Sequence, residues 1–220
     1  EYNMDRGDPG KPMEPATRGL PKAFGLSPID SKTSGRLELA RQIASPKNPL
    51  TARVMVNRIW HQLFGLGLVR TVDNFGWLGE RPSHPELLDY LANEFVETHK
   101  WSIKSFIARL VLTKTFGQSS TSADPAFDQA DPNNILLHRM PVRRLEAEAI
   151  RDAVLAVSGR LDTKIGGAPV PTFLDEFVVG RGRPGGGPLD GAGRRSLYTS
   201  VRRNFLPTLM LAFDFPAPFS

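Results

Sequence analysis

The chain has 220 residues, of which 40% are hydrophobic and 23% charged, and this composition excludes a wholly disordered chain. The absence of cysteine excludes disulfides, thiolate metal ligands, covalent haem attachment and a cysteine nucleophile, and no apolar run is long enough to predict a membrane-spanning helix. The net charge of +5 is concentrated in residues 139–203, where 12 Lys/Arg, all but one of them arginine, face 7 Asp/Glu.

The first 34 residues are predicted to form an extended arm or linker. Five prolines fall within the first 28 residues, and no helical or strand period separates them. A single helical domain is predicted over 35–220. Its first helix covers about 35–44, and the second, over 50–64, has the clearest apolar face in the chain, with Gly65 as its C-terminal cap.

The other side of this second helix carries Arg53, Asn57 and His61 at spacings of four residues, so their side chains stand in one row. A guanidinium, an amide and an imidazole in line could bind a carbonyl or an anion, with His61 transferring a proton. Alternatively, Asn57 and His61 satisfy backbone groups of the glycine-rich connector 65–82. The neighbouring glycines favour this second interpretation.

Two helices are predicted after the connector, which itself carries Asp73. Ser83 and Glu86 form a capping-box pattern that opens a helix ending near Thr98. Ser102 is the predicted cap of the next helix, which ends near Gly117. Residues 118–140 are predicted to be a polar loop.

A long helix is predicted over 142–158. Its polar line includes Glu148 and Asp152, two carboxylates at i, i+4, as a general acid–base pair or metal ligands would require. Arg144 and Arg151 lie four residues before and three after Glu148, which favours a structural charge network. The apolar line comprises Leu145, Ala149, Ile150, Ala153, Val154 and Val157.

Ten of the 20 glycines fall between 159 and 193, which predicts a long loop, followed by a small β element near 196–202. The fold class expected is mainly α, an irregular helical domain with long loops. A short helix or turn is predicted over 206–213. The crowded Phe213, Phe215 and Phe219 predict that the domain continues past Ser220.

Several familiar chemistries have no sequence support. There is no HExxH zinc helix, no GxSxG nucleophile elbow and no GxxxxGK[ST] phosphate loop. The four histidines are not paired at i, i+3 or i+4, so no local metal site is predicted.

Several consecutive motifs resemble one known family. They are Asn48-Pro49-Leu50-Thr51-Ala52-Arg53, Val56-Asn57-Arg58-Ile59-Trp60, Asp73-Asn74-Phe75-Gly76, Pro82-Ser83-His84-Pro85-Glu86-Leu87-Leu88-Asp89, Arg143-Arg144-Leu145-Glu146-Ala147-Glu148-Ala149-Ile150-Arg151-Asp152 and Arg194-Arg195-Ser196-Leu197-Tyr198. Together they resemble the domain of unknown function 1553 family, the C-terminal module of planctomycete-type cytochrome c proteins.

This resemblance implies a periplasmic or extracellular location and other domains in the same polypeptide, one of them carrying haem c. It implies no cofactor in this chain. The family has no established catalytic residues, so the resemblance carries over no active site.

The expected function is a binding or docking module whose arginine-rich half holds an acidic glycan or a neighbouring redox domain. The candidate binding residues are Arg53, Asn57, Arg143, Arg144, Arg195, Tyr198, Arg202 and Arg203. One alternative is an enzyme acting on extracytoplasmic polysaccharide, with catalytic candidates His61, Asp73, Glu148 and Asp152. Another alternative is a purely structural domain. No nucleic-acid partner is expected.

Overall fold

The computed structural model describes residues 2–29 and 34–213. The chain forms two compact units that divide after Val142, called unit 1 and unit 2 below. The described residues include seven helices: α1 (Arg36–Ile43), α2 (Thr51–Phe64), α3 (Pro85–Glu97), α4 (Ile103–Val111), α5 (Pro125–Ala130), α6 (Ala147–Val157) and α7 (Thr208–Ala212). The four strands among them are β1 (Tyr2–Met4), β2 (Pro12–Pro15), β3 (Val170–Pro171) and β4 (Thr199–Ser200).

The predicted fold class, mainly α with a small β element, is confirmed. The β element near 196–202 is β4, which pairs in parallel with β3 in the register Val170 to Thr199. Among the described residues, every helix is too short or too polar to cross a bilayer.

The core of unit 1 is formed by α2, α3, α4 and the connector between α2 and α3. Its aromatic rings pack in pairs: Trp60 stacks on Phe64 with ring centroids 4.1 Å apart, and Phe95 packs against Phe106 at 5.2 Å. The buried apolar residues of this core are Val56, Ile59, Trp60, Phe64, Leu68, Val69, Leu88, Leu91, Phe95, Phe106 and Leu110. The apolar face predicted for the second helix is therefore a true core face.

The ends of the helices differ from the sequence-based prediction in two places. Pro85 begins α3 one residue later than the capping box requires, so Ser83 lies outside the helix and donates its hydroxyl to the Leu68 carbonyl instead, at 3.2 Å. Helix α4 has the predicted cap, because Ser102 Oγ accepts from the Ser105 amide at 3.3 Å, but the helix ends at Val111.

Two elements of unit 1 were not predicted. The proline-rich arm contains an antiparallel hairpin, in which β1 pairs with β2 in the register Tyr2 to Pro15. The polar loop 118–140 contains α5, whose N-cap Asp124 accepts from the Ala126 amide at 2.8 Å. Proline is tolerated at the ends of a strand, as in β2, and at the first position of a helix, as in α5.

In unit 2, helix α6 begins only at Ala147, so Arg144 does not share a helical face with Glu148 as predicted. The helix buries Ala147 and Leu155 and half-buries Glu148, Arg151 and Asp152 of its polar line, while Val157 on the apolar line is 89% exposed. The structure thus reverses the orientation that an apolar stripe favours. The reason is that the facing loop offers backbone polar groups that need partners.

The last described element, α7, buries Met210 within unit 2. Phe213 is the final described residue, so Phe215 and Phe219, on which the predicted continuation of the domain depends, lie outside the described residues. The division into an arm at 1–34 and a single domain over 35–220 stays a prediction.

Asn57 is the polar residue on which the unit 1 core most depends. It is fully buried, its amide nitrogen donates to the Val69 carbonyl and its amide oxygen accepts from the Val69 N–H, both at 2.9 Å. We expect Asn57→Ala to lower the free energy of unfolding by roughly 2–4 kcal/mol, because two buried backbone groups lose their partners. Urea denaturation measures this loss.

The matched control for this prediction is Arg58→Gln, on the next residue of the same helix. It removes an exposed ion pair with Asp73 at 2.9 Å, which is worth about 0–1 kcal/mol. Equal destabilisation by both substitutions would contradict the role given to Asn57.

Candidate functional site

Arg151 on α6 binds the backbone of its own unit. Its guanidinium donates to the carbonyls of Asp190 at 2.7 Å and Arg194 at 2.9 Å, and to Ser196 Oγ at 2.9 Å. Gly191 passes so close to this guanidinium that any Cβ there would collide with it. Arg151 therefore fixes the loop that enters β4.

Asp152 and Arg194 complete this network. Asp152 Oδ1 accepts from the Ser196 N–H at 2.7 Å, and its other oxygen lies 3.8 Å from Arg195 Nε. The buried Arg194 donates to the carbonyls of Lys164 at 2.9 Å and Gly166 at 2.6 Å, and its guanidinium carbon lies 4.4 Å from the ring centre of Tyr198. Asp152, which also lies 3.4 Å from Arg151 Nη1, and Tyr198 thus both contact other side chains of unit 2.

The remaining candidates of unit 2 lie around this network. Arg195, Arg202 and Arg203 are exposed, and Arg143 and Arg144 are exposed residues ahead of α6. Glu148 is half-buried beside Ser196 and Met210, lining a void of about 10 Å³. Its carboxylate makes no hydrogen bond to any described residue, whereas Asp152 is engaged, so the two carboxylates do not have equivalent surroundings.

The predicted row on α2 does not form a common exposed face. Arg53 pairs with Asp89 at 2.6 Å and also donates to the Pro49 carbonyl. Asn57 is buried and engaged with Val69, so its amide is not accessible to a ligand. His61 is half-buried, and its Nδ1 has no hydrogen-bond partner among the described residues.

Asp73, the catalytic candidate of the connector, is 89% exposed in its side chain and pairs with Arg58. No group of three acidic or histidine side chains among residues 2–29 and 34–213 is arranged to hold a metal ion. The four catalytic candidates are divided between the units, with His61 and Asp73 in unit 1 and Glu148 and Asp152 in unit 2. A site that combines them stays a prediction.

A different cleft, of about 210 Å³, lies within unit 1. Its walls come from the loop after α2, the start of α3 and the segment after α5. The residues that line it are Trp60, Phe64, Leu66, Gly67, Leu68, Arg70, Ser83, His84, Pro132, Asn133, Asn134, Ile135, Leu137, Arg139, Pro141 and Val142. We call it the unit 1 cleft.

The unit 1 cleft has cationic and imidazole groups but no carboxylate in its lining. The exposed Arg70 guanidinium has no hydrogen-bond partner among the described residues. Arg139 is held by Asp128, with 3.1 Å between Nε and Oδ1, while its carbonyl accepts from the side chain of Asn134 at 2.8 Å. This arrangement favours an anionic ligand.

His84, which also lines the cleft, has a defined orientation. Ser83 Oγ lies 3.0 Å from His84 Nδ1 while the serine hydroxyl donates to the Leu68 carbonyl. Because that hydroxyl has one proton, His84 Nδ1 acts as the donor to it, which leaves Nε2 as an acceptor in the neutral ring. His84 thus adds a polar group that either accepts from a hydroxyl or, when protonated, binds an anion.

No sequence pattern predicts a role for Arg70 or Arg139. The wall formed by 132–142 comes from a distant part of the sequence. Only the adjacency of Ser83 and His84 to a glycine-rich connector could have indicated a site here.

Replacing Arg151 tests the network of unit 2. Lysine keeps the charge but cannot reproduce the fork that reaches the carbonyls of Asp190 and Arg194. We expect Arg151→Lys to lower the free energy of unfolding of unit 2 by about 1.5–3 kcal/mol and to speed amide exchange over 190–200. Arg202→Lys, at an exposed arginine, is the control, and identical exchange in the two variants would refute the network.

Asp131 shapes the wall of the unit 1 cleft, and its ionisation should control that wall. Its two oxygens accept from the amides of Leu136 at 2.7 Å and Ile135 at 2.9 Å. The hydrogen bond from Leu136 lowers the pKa of the Asp131 carboxyl most, desolvation opposes it, and Ile135, His138 and Arg139 lower the pKa further.

A folded-state pKa below the unfolded value means that this carboxylate stabilises the wall at neutral pH and that the stabilisation is lost as the pH falls through the folded pKa. We expect a carbon-detected NMR titration to place the Asp131 pKa below about 3.9, the ordinary aspartate value. Asp131→Asn should remove the acid-dependent change in the Ile135 and Leu136 amide shifts. A pKa at or above the ordinary value would contradict the assignment.

Comparison with known proteins adds one finding. A family model described as PSD1, protein of unknown function (DUF1553), matches residues 35–220. No curated protein and no solved structure matches the chain. The match covers most of the chain and includes the motifs around α2, α3, α6 and β4. The chain belongs to the DUF1553 family of proteins of unknown function.

Proposed function

We propose that this chain is a binding module that holds an acidic glycan, with one carboxylated sugar residue seated in the unit 1 cleft. The observation that carries the proposal is the lining of that cleft, in which Arg70, His84 and Arg139 occur without any carboxylate. A negatively charged ligand would therefore be attracted by Arg70 and would meet no carboxylate in the lining itself, while Arg139 shares its charge with Asp128 outside the lining.

Arginine suits a carboxylate better than lysine does, since its planar fork donates two parallel hydrogen bonds. Arg70 makes no hydrogen bond to any described residue, so a ligand need not compete with an internal partner. Arg139 is already oriented by Asp128, which lowers the entropy lost when it binds.

The apolar part of the lining suits the C–H groups of a sugar acid, just as the arginines suit its carboxylate. The exposed apolar side chains in the lining are Leu66, Ile135 and Val142, while Trp60 and Phe64 lie buried beneath it. These exposed side chains can contact the apolar C–H groups of a sugar ring. A sugar ring with a carboxylate on one side and C–H groups on another therefore has polar and apolar groups that complement those of the cleft.

The size of the cleft supports a single sugar ring as the occupant. Sites for drug-sized ligands span about 300–1,000 Å³, and the unit 1 cleft, at about 210 Å³, is smaller. A docked redox domain would instead need an interface of roughly 1,000 Å² or more, and nothing in the cleft favours one. The glycan is therefore the better supported of the two ligands.

The motif resemblance supports a cellular location and a domain context for this binding activity. We propose that the module works in the periplasm or outside the cell, as part of a longer polypeptide of planctomycete type that carries haem c in another domain. The alternative of a polysaccharide-cleaving enzyme has weaker support, because Asp152 is engaged in backbone hydrogen bonding.

Replacing Arg70 tests this proposal. We expect the full chain to bind a galacturonate trimer with an affinity that falls as salt rises, and Arg70→Gln to weaken binding by about tenfold or more, since a hydrogen bond to a charged group contributes about 1.5–3 kcal/mol. Isothermal titration calorimetry at two salt concentrations measures both effects.

The matched control is Arg41→Gln, which removes the same charge from the exposed face of α1, outside the cleft. It should bind the trimer like the unchanged protein. Equal binding of the acidic trimer by Arg70→Gln, or equal binding of a neutral galactose trimer by the unchanged protein, would overturn the proposal.

A further inference from the structure

The junction between α3 and α4 in unit 1 places a serine, a histidine and a glutamate side by side. Ser105, in the first turn of α4, has its Oγ 2.7 Å from His99 Nδ1. On the other side of the imidazole ring, His99 Nε2 lies 4.0 Å from Oε1 of Glu94, in the last turn of α3. A hydroxyl, an imidazole and a carboxylate in this order are the parts of an activated nucleophile: the attacking group, its general base and the group that orients the base.

The carboxylate of Glu94 decides which ring nitrogen of His99 carries the proton. His99 Nε2 is buried and has no hydrogen-bond partner among the described residues. A lone pair on Nε2 would face the negative Glu94 oxygen, whereas an N–H on Nε2 is attracted to it. The neutral ring therefore carries its proton on Nε2, which leaves Nδ1 to accept the hydroxyl proton of Ser105.

The three side chains differ in their access to water. Those of His99 and Glu94 are only 10% and 13% exposed, whereas Ser105 is exposed. The base is thus shielded while the nucleophile can meet a substrate. Arg109 donates to Glu94 Oε1 at 3.2 Å and holds the carboxylate in place, where it can stabilise the imidazolium that forms when His99 takes a proton.

The turn that carries His99 into α4 has an unusual backbone conformation. Lys100 and Trp101 have φ angles of 48° and 64°, in the left-handed region that residues other than glycine rarely adopt. The Trp101 N–H donates to the Phe95 carbonyl at 3.1 Å, and the His99 ring packs edge-on against Phe106 at 5.6 Å. These contacts offset the cost of the turn and fix the imidazole beside the first turn of α4.

The start of α4 offers donors for the negative charge that acyl transfer creates. The backbone amides of Ile103 and Lys104 donate to no described residue, as is usual in the first turn of a helix. A helical side chain covers the turn on the N-terminal side of its own Cα, so the Ser105 hydroxyl lies towards these amides. A carbonyl oxygen attacked by Ser105 would therefore develop its charge near two free N–H groups and the positive end of the helix dipole.

We propose that Ser105 is the nucleophile of a site that hydrolyses small acyl esters, with His99 as general base and Glu94 as the positioning residue. The Ser105 oxygen forms a bond to the carbonyl carbon while its proton moves to His99 Nδ1. The bond from that carbon to the alcohol oxygen then breaks, and the alcohol leaves with the proton from His99. Water attacks the acyl group with help from His99 in the same way, which releases the carboxylic acid and returns the proton to Ser105.

The exposure of Ser105 bears on the class of ester. The alcohol part of the ester can extend into solvent, so an acetyl group carried by a polymer is as accessible as one on a small alcohol. The reaction needs no ligand in the unit 1 cleft, and it goes beyond the glycan binding proposed there.

The experiment combines covalent labelling and turnover in the full chain. A fluorophosphonate should label Ser105, located by mass spectrometry of peptides, and 4-nitrophenyl acetate should be hydrolysed. Ser105→Ala should abolish the label and lower kcat/KM at least about 100-fold, the usual range for losing a reaction assisted by a general base. Ser120→Ala, at another exposed serine of unit 1, is the matched control and should leave both readouts unchanged.

Glu94→Gln tests the positioning role separately. It should lower kcat for 4-nitrophenyl acetate about tenfold with little change in KM, because glutamine keeps the size of the side chain but cannot stabilise an imidazolium by charge. An unchanged kcat would show that the three residues only join α3 to α4, and would overturn the proposal.

Two outcomes at Ser105 would also overturn it. One is the absence of a Ser105 adduct in the unchanged, folded protein, including the case in which a histidine alone is acetylated. The other is equal turnover by Ser105→Ala. Because Ser105 is exposed, its alanine variant should unfold at the same urea concentration as the unchanged protein, which separates lost turnover from lost folding. Binding of the galacturonate trimer should be the same in Ser105→Ala, so either proposal can fail without the other.

Discussion

The arrangement of unit 1 depends on the pair of hydrogen bonds between the Asn57 side chain and the Val69 backbone. The connector after α2 contains no regular secondary structure, so its buried N–H and C=O groups need partners from elsewhere. The Asn57 side chain supplies both a donor and an acceptor to the buried backbone of Val69. Gly67 lies so close to Asn57 that a Cβ there would collide with the amide. The position of Arg70 at the cleft follows from this fixed path.

Unit 2 solves the same problem with charged side chains. Its long loop has little regular structure apart from the two-residue pairing of β3 and β4. Arg151, Asp152 and Arg194 act instead as hydrogen-bonding partners for the loop backbone. Two arginines of the basic segment, Arg151 and Arg194, therefore bind the protein's own backbone, whereas Arg195, Arg202 and Arg203 stay exposed. Charge composition alone does not distinguish these two uses of arginine.

The sequence predicted those features best that depend on interactions between residues close together in the chain. The apolar period of α2 and the Ser102 cap depend on residues a few positions apart, and both appear in the structure. The orientation of α6 was not predictable in this way, because its polar face meets a loop about 40 residues later in the chain. Its apolar stripe alone indicated the opposite face.

The candidate site was predictable only in part, for the same reason. The alternative role of Asn57 as an anchor of the connector was deduced from the neighbouring glycines, and the structure shows it. The unit 1 cleft could not be predicted, since Arg70 and Arg139 lie 69 positions apart and meet only through the packing of their loops.

The spacing between Arg151 and its acceptors has a consequence for how unit 2 forms. Those acceptors lie 39 to 45 residues further along the chain, so none of these bonds can form until the intervening segment has closed on itself. The entropy of that closure is lost before any bond compensates for it. Helix α6 needs only local contacts to form, whereas the loop attaches to it through non-local contacts, and contacts of this kind slow folding.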